Sequence, residues 1–340
     1  MNFLKHKSVY LKIVLLILFV YPSTLSFASN TITIAAFSTK SLSSENFYNQ
    51  MAKTIKAKSN NKMSVKLLIR GELGSDESHF YALRRGRIQI AGVGLQSVAT
   101  LIPEISVLNA PYLFDSWEEL DYIYPKKIVA FINDLLSNKG VIGIQFYGAS
   151  WHGIYSKKPI YNPKNAIDKR FRILIDPASK LFIKSLGSEM FQIAQTDAVT
   201  ALQTGLIDSG ETNTHVYNIT GTSCNAPYFT RTRHTPSVIS ILANKKWFNT
   251  LSQSEKNIIL NSHPNHLISG SALRDDEERM LSASSKQHVT VIEPNKNDLI
   301  SWKEKGLSTH DELIKIIGGK ASELYELVIQ GKKEYKKSLN

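Results

Sequence analysis

One cysteine, Cys224, stands among 340 residues. A single thiol closes no intramolecular disulfide, so covalent bridges do not staple this fold. With no histidine partner evident in sequence, Cys224 reads as a buried structural thiol. The short motifs of common chemistries are missing as well. There is no G-x-S-x-G nucleophile elbow and no H-E-x-x-H metal helix. Gly92-Val93-Gly94 lacks the third glycine and the helix start of a dinucleotide loop. His263 and His266 are separated by Pro264 and have no acidic or sulfur ligand close by, so they read as packing or surface residues. The expectation is a chain that is not an enzyme and carries neither metal nor cofactor.

Long hydrophobic runs are also lacking. The apolar stretch 13–21 is far shorter than the ~20 residues a spanning helix needs. Lys5, Lys7 and Lys12 precede it, and Ser26-Phe27-Ala28 follows it with small residues at the −3 and −1 positions of a cleavage site. This is the pattern of a secretory signal peptide over residues 1–28, with the mature chain starting near Ser29. No cysteine sits there to carry a lipid, and a soluble exported protein is expected.

The charge is one-sided: 41 Lys and Arg face 29 Asp and Glu, for a net +12. Without the three leader lysines, 38 basic residues still face those 29. Such a field steers anionic solutes toward a cleft. The basic residues are scattered, and no zinc finger, helix-turn-helix or aromatic RNA-binding motif accompanies them, so nucleic acid is not the expected partner. A mature chain of roughly 310 residues exceeds one ordinary core, which points to two domains.

What is present reads as α/β. Thr31–Phe37 alternates as a strand. Ser44–Ser59 carries Phe47, Met51 and Ile55 at helical spacing. Met63–Ile69 is a second strand, Ser75–Arg85 a helix with acids in its first turn, and Ile88–Val93 a mostly apolar third strand. This repeat predicts a parallel sheet with crossover helices. Trp117–Asn138 reads as helix interrupted at Pro125, and Val141–Tyr147 as strand. A second unit follows, with strands Phe171–Ile175 and Glu189–Ile193 and helices Lys180–Leu186 and Asp197–Thr204. Ser237–Leu242 and Val289–Ile292 are later strands. Ser254–Ser285 reads as one long helix bent at Pro264, and the C-terminus as helical. The Arg274–Arg279 run reads as a solvated helix face.

Four stretches together resemble the DctP family of solute-binding proteins of TRAP transporters. The first is Gly71-Glu-Leu-Gly-Ser-Asp-Glu with Ala82-Leu-Arg-Arg-Gly-Arg-Ile-Gln-Ile. The second is Pro103-Glu-Ile-Ser-Val-Leu-Asn-Ala-Pro-Tyr-Leu-Phe. The third is Lys169-Arg-Phe-Arg-Ile, and the fourth Ala201-Leu-Gln-Thr-Gly-Leu-Ile-Asp-Ser-Gly-Glu. Their order and spacing fit over nearly the whole mature chain. The resemblance implies a two-lobed periplasmic-binding-protein-like fold with mixed, mainly parallel sheets flanked by helices and a ligand cleft between the lobes. It implies lobe I over 29–150 with about 237–275, and lobe II over 151–236 with about 276–340. Hinge crossings would lie near 150, near 237 and in the 254–285 helix. It implies a monomeric periplasmic protein that captures a small organic acid and hands it unchanged to TRAP permease membrane subunits. An exported hydrolase or lyase, or a sensory protein of the same fold, is the alternative.

In that family the main anchor is the arginine of the third motif, here Arg172. A guanidinium stays charged and pairs bidentately with a carboxylate. A structural ion pair is the competing reading, and Arg170 shares the same face by alternation. Thr212 takes the place of a ligand-contacting asparagine, with Asn213 one residue on; a loop cap is the other reading of either. Trp151 stands where many relatives carry a second arginine, which implies an apolar wall and a less charged acid; core packing is the other reading of Trp151. Phe37, Asp76, Gly94 and Gln96 match positions near the family's cleft, and Gln195, just ahead of the Asp197 helix, is placed to line the second lobe's wall. Phe37 and Gly94 replace polar residues of sugar-acid binders. Asp76 reads as a first-turn helix residue.

Overall fold

The computed structural model describes residues 30–40 and 42–339. The expected signal peptide lies outside the described residues.

Strands β1 (Asn30–Ala35), β2 (Met63–Leu68) and β3 (Ile90–Gly94) pair in parallel, with β1 in the middle. The Ser43–Lys58 helix buries Phe47, Tyr48, Met51 and Ile55 against them. Fully burying each such side chain stabilises by about 1.5–3 kcal/mol. The strand–helix–strand reading of this region is thus what the structure shows.

The strand that organises the molecule is β4 (Val141–Ser156), more than twice the length its sequence suggests. Its residues 141–151 pair antiparallel with β9 (Pro236–Asn244), which also pairs with β3. Its residues 152–156 pair with β7 (Ser209–Asn213) and 154–156 with β8 (Tyr228–Thr230). Beyond β7 lie β5 (Arg170–Ile173) and β6 (Glu189–Gln192), both parallel, and β10 (Thr290–Ile292) pairs with β8. One strand therefore belongs to two sheets. Its register shifts between Gly148 and Ser150, just before it passes from one to the other. At the same point Gly270 packs so closely that a Cβ there would meet the Gly148 carbonyl oxygen at 2.8 Å.

The last helix, Ala321–Ser338, returns to the first sheet's side. Its Ala321, Leu324 and Val328 share a core with Leu120 and Ile123 of the Trp117–Ile123 helix. Trp302 packs instead with Phe171, Phe182 and Ile183 around the second sheet.

Three expectations are corrected. Cys224 is exposed, its sulfur 3.9 Å from His288 Nε2, because the short Thr222–Asn225 helix presents it outward. The long C-terminal-half helix is two, Gln253–Leu260 and His266–Ser285, because Pro264 offers no N–H and the chain restarts with Asn265 as N-cap. The Arg274–Arg279 run is not a solvated face. Arg274 makes two bonds to Asp121, at 2.9 and 3.0 Å, donates to the Gly148 carbonyl at 3.0 Å, and lies 4.1 Å over the Trp117 ring. Asp276 and Glu277 are buried.

Burial pushes the Glu277 carboxyl up to about 7, against hydrogen bonds from Thr214 and Ser150. The folded state then binds a proton that the unfolded chain releases near its ordinary 4.5. Ionised Glu277 penalises folding above pH 7, and the penalty fades as pH falls toward 4.5. The gap is on the order of 3 kcal/mol. Glu277→Gln is expected to raise the melting temperature most at pH 8 and hardly at all at pH 5; equal gains at both pH values would contradict this.

Candidate functional site

Where β4 changes sheets, three neighbouring strands bring polar side chains together. Arg172 on β5 lies opposite Gly210 of β7, and Ile154 of β4 lies opposite Glu211. Arg172 is 4% exposed. Its Nε donates to the Ile193 carbonyl at 2.9 Å and its Nη1 to the Glu211 carbonyl at 3.4 Å. Among the described residues no carboxylate oxygen lies within 4.0 Å of it. Burial lowers its pKa, opposed by neighbouring Tyr155 and Glu211. Gly210 makes this geometry possible: a Cβ there would sit 2.2 Å from the Tyr155 hydroxyl. The competing Arg170 is exposed and paired with Asp208 at 3.4 Å.

Glu211 is the hub of the surrounding network. One carboxylate oxygen accepts from the Ser179 hydroxyl; the other meets His234 Nε2 at 2.8 Å. Burial alone would raise this carboxyl, but the His234 bond and charge, His152 and Ser179 together hold it below its ordinary range. His234 is stacked on Phe182 at 4.7 Å and bonded through Nδ1 to Thr232 at 2.7 Å. His152 meets His234 edge-on at 6.2 Å, and its Nε2 lies 3.3 Å from Gln96 Nε2. Burial pushes His152 down to about 4, with His234 and Arg172 acting the same way and Glu211 opposing. Asp176, the N-cap of the Pro177–Ser185 helix, accepts from Ala178 N and from Asn109; burial pushes its carboxyl up to about 6.

Gln96, Asn109, His152, Asp176, Glu211 and His234 line a cavity of about 10 Å³. That is room for one water-sized group.

The structure sets Gln96 on this cavity, while Arg172 and buried Thr212 lie on the other face of the second sheet, the face of Trp151, Gly153 and Tyr155, in register with Gly210 and Gly153. Asn213 is occupied as an N-cap, its side chain accepting from Val216 N at 2.8 Å. Gln195 opens a short 3-10 turn, and its Nε2 is buried without a partner. Phe37 is half-exposed beyond β1, over Gly71. Trp151 turns to the opposite face of β4 from His152, as alternation along a strand requires. It stacks on Trp117 at 4.5 Å beside a crevice of about 370 Å³. Asp76 is in its helix's first turn as expected, and it also accepts from Gly94 N at 2.7 Å. Sequence reasoning gave no weight to His152, His234 or Asp176. His152 was detectable as the neighbour of the assigned Trp151. The other two carry no local motif, and only the fold brings them to Glu211.

Comparison with known proteins follows the same outline. Residues 35–315 match the family model DctP, described as bacterial extracellular solute-binding protein, family 7. A solute-binding protein of Chromohalobacter salexigens is 22% identical over 209 residues, covering 61% of this chain and 62% of that one. The ectoine-binding periplasmic protein TeaA of Halomonas elongata is 22% identical over 273 residues, covering 75% of this chain and 77% of its own. The crystal structure of a TRAP periplasmic solute-binding protein from Roseobacter denitrificans with bound β-D-glucuronate superposes with a TM-score of 0.81. It is 20% identical and covers 88% of this chain and 99% of its own.

Proposed function

We propose, from the premise that this chain belongs to the bacterial extracellular solute-binding proteins of family 7, that it captures a small organic acid between its two lobes and delivers it to a TRAP-type permease. The observation that carries the choice of ligand is Arg172, a buried guanidinium with no carboxylate in pairing distance. Leaving a charge buried and unpaired costs several kcal/mol. A solute carboxylate that reaches it recovers that cost and gains charge-assisted hydrogen bonds. Relatives named for ectoine and solved with glucuronate are in keeping with a carboxylate-bearing ligand.

The lobes in this reading are the two sheets, and β4 with β9 is their hinge. Closure is favoured by as much as the ligand prefers the closed form, and the permease reads the closed form. The protein is exported to the periplasm, acts as a monomer, and returns its solute chemically unchanged.

A thermal-shift screen of organic acids tests this. A cognate acid at about 100 times its Kd stabilises by about 2.7 kcal/mol, a rise of roughly 4 °C for a chain of this size. The acid recovered afterwards is expected intact by mass spectrometry. Stabilisation by amines or neutral sugars alone, or a product in place of the acid, would contradict the proposal.

A further inference from the structure

The first sheet carries a groove of about 560 Å³ that shares no residue with the site above and is built wholly from residues 33–88. Thr33 of β1 pairs with Lys66 of β2, so their side chains share one sheet face, and Leu68 lies two residues further along it. The Ser43–Lys58 helix covers the opposite face, packing on Ile32 and Ile34. The shorter Asp76–Arg84 helix packs on the groove's face and leaves a gap, toward which it presents Ser78, Tyr81, Ala82 and its C-cap Arg85 at helical spacing. The floor is apolar, with Ile88 buried and Leu68 half-buried. Leu73 and Tyr81 are exposed beside it, as are Lys66, Arg85 and Arg87. No acidic residue lines the groove, and among the described residues none of these three cations has a carboxylate oxygen within 4.0 Å. Arg70, Arg170 and Arg233 are exposed too, yet each sits on a carboxylate.

We propose that this groove is a docking surface for an extended acidic segment of the permease, which sets an apolar side chain over Leu68 and Ile88 and its carboxylates on Lys66, Arg85 and Arg87. This rests on the transporter reading above. Charge complementarity selects an acidic partner. Shape selects a protein segment over a lipid surface, because a flat membrane meets the rim of a concave groove and not its apolar floor. A small free anion gains little from cations this exposed. A segment that spans the groove gathers all three and covers the floor as well. Residues 33–88 belong to one lobe, so the groove keeps its shape whether the lobes are open or closed. It supplies a contact that does not depend on solute, and closure is read elsewhere on the surface.

The test compares the parent with two triple variants, one carrying Lys66→Gln, Arg85→Gln and Arg87→Gln, the other Glu at the same three positions. Uptake of the best-binding acid is measured in proteoliposomes of neutral lipid that hold the permease. The concentration of loaded protein giving half-maximal uptake is expected to rise roughly 10-fold in the Gln variant and further in the Glu variant. Calorimetry is expected to give both variants the parent's affinity for the acid. Half-maximal concentrations equal to the parent's would overturn the proposal, as would a loss of acid affinity that accounts for the loss of uptake. Flotation of the parent with permease-free phosphatidylglycerol vesicles, abolished in both variants, would also overturn it by assigning the groove to lipid. A parent that binds the acid and supports no uptake would bring down the transporter reading, and this surface with it.

Discussion

Arg172→Ala is expected to reduce affinity for the best-binding acid by at least ~30-fold. Truncating one partner of a buried, hydrogen-bonded charge pair costs about 2–5 kcal/mol, and each ~1.4 kcal/mol is tenfold in Kd. In the structure Arg172 is already oriented by its own lobe. Ile193 and Glu211 carbonyls orient two of its N–H groups, and the buried Tyr155 hydroxyl is a further neighbour. Arg172→Lys is expected to lose most of the affinity too, because an ammonium cannot reproduce the planar fork. Arg170→Ala should stay within twofold of the parent, since that side chain is exposed and already paired with Asp208. Calorimetry on the three variants checks the series; a loss shared equally by Arg170→Ala would show a general field rather than an anchor.

Glu211→Ala is expected to be the most destabilising single change at the site. Its carboxylate serves Ser179 and His234 in a buried setting. Removing one member of a buried pair costs about 3–5 kcal/mol, because the partner is left desolvated. For a chain of this length that lowers the melting temperature by roughly 5–8 °C. Glu211→Gln keeps an acceptor for Ser179 and should lose distinctly less. Urea titration checks both; a Glu211→Ala midpoint within error of the parent would mean the network contributes nothing net.

Periodicity exposed the first parallel unit, because Phe47, Met51 and Ile55 recur at helical spacing and β3 is buried on both faces. It did not expose the full length of β4. A strand that leaves one sheet for another is covered on both sides from Gln145 to Ser150, so no in–out alternation marks it past Tyr147. The same blindness affected the site. Arg172 was singled out by its motif, and its burial was shown by the structure. The register shift at Gly148/Ser150 and the strand's alternation, which send Trp151 to Trp117 and His152 to Gln96, were not legible. Arg274 looked solvated because Asp121, its partner, lies far away in sequence.

The most direct test is a crystal structure of the protein with its acid bound. The account predicts closed lobes, with the solute's carboxylate within about 3 Å of two Arg172 nitrogens. A solute seated elsewhere, with Arg172 still bonded only to the carbonyls of its own lobe, would contradict it.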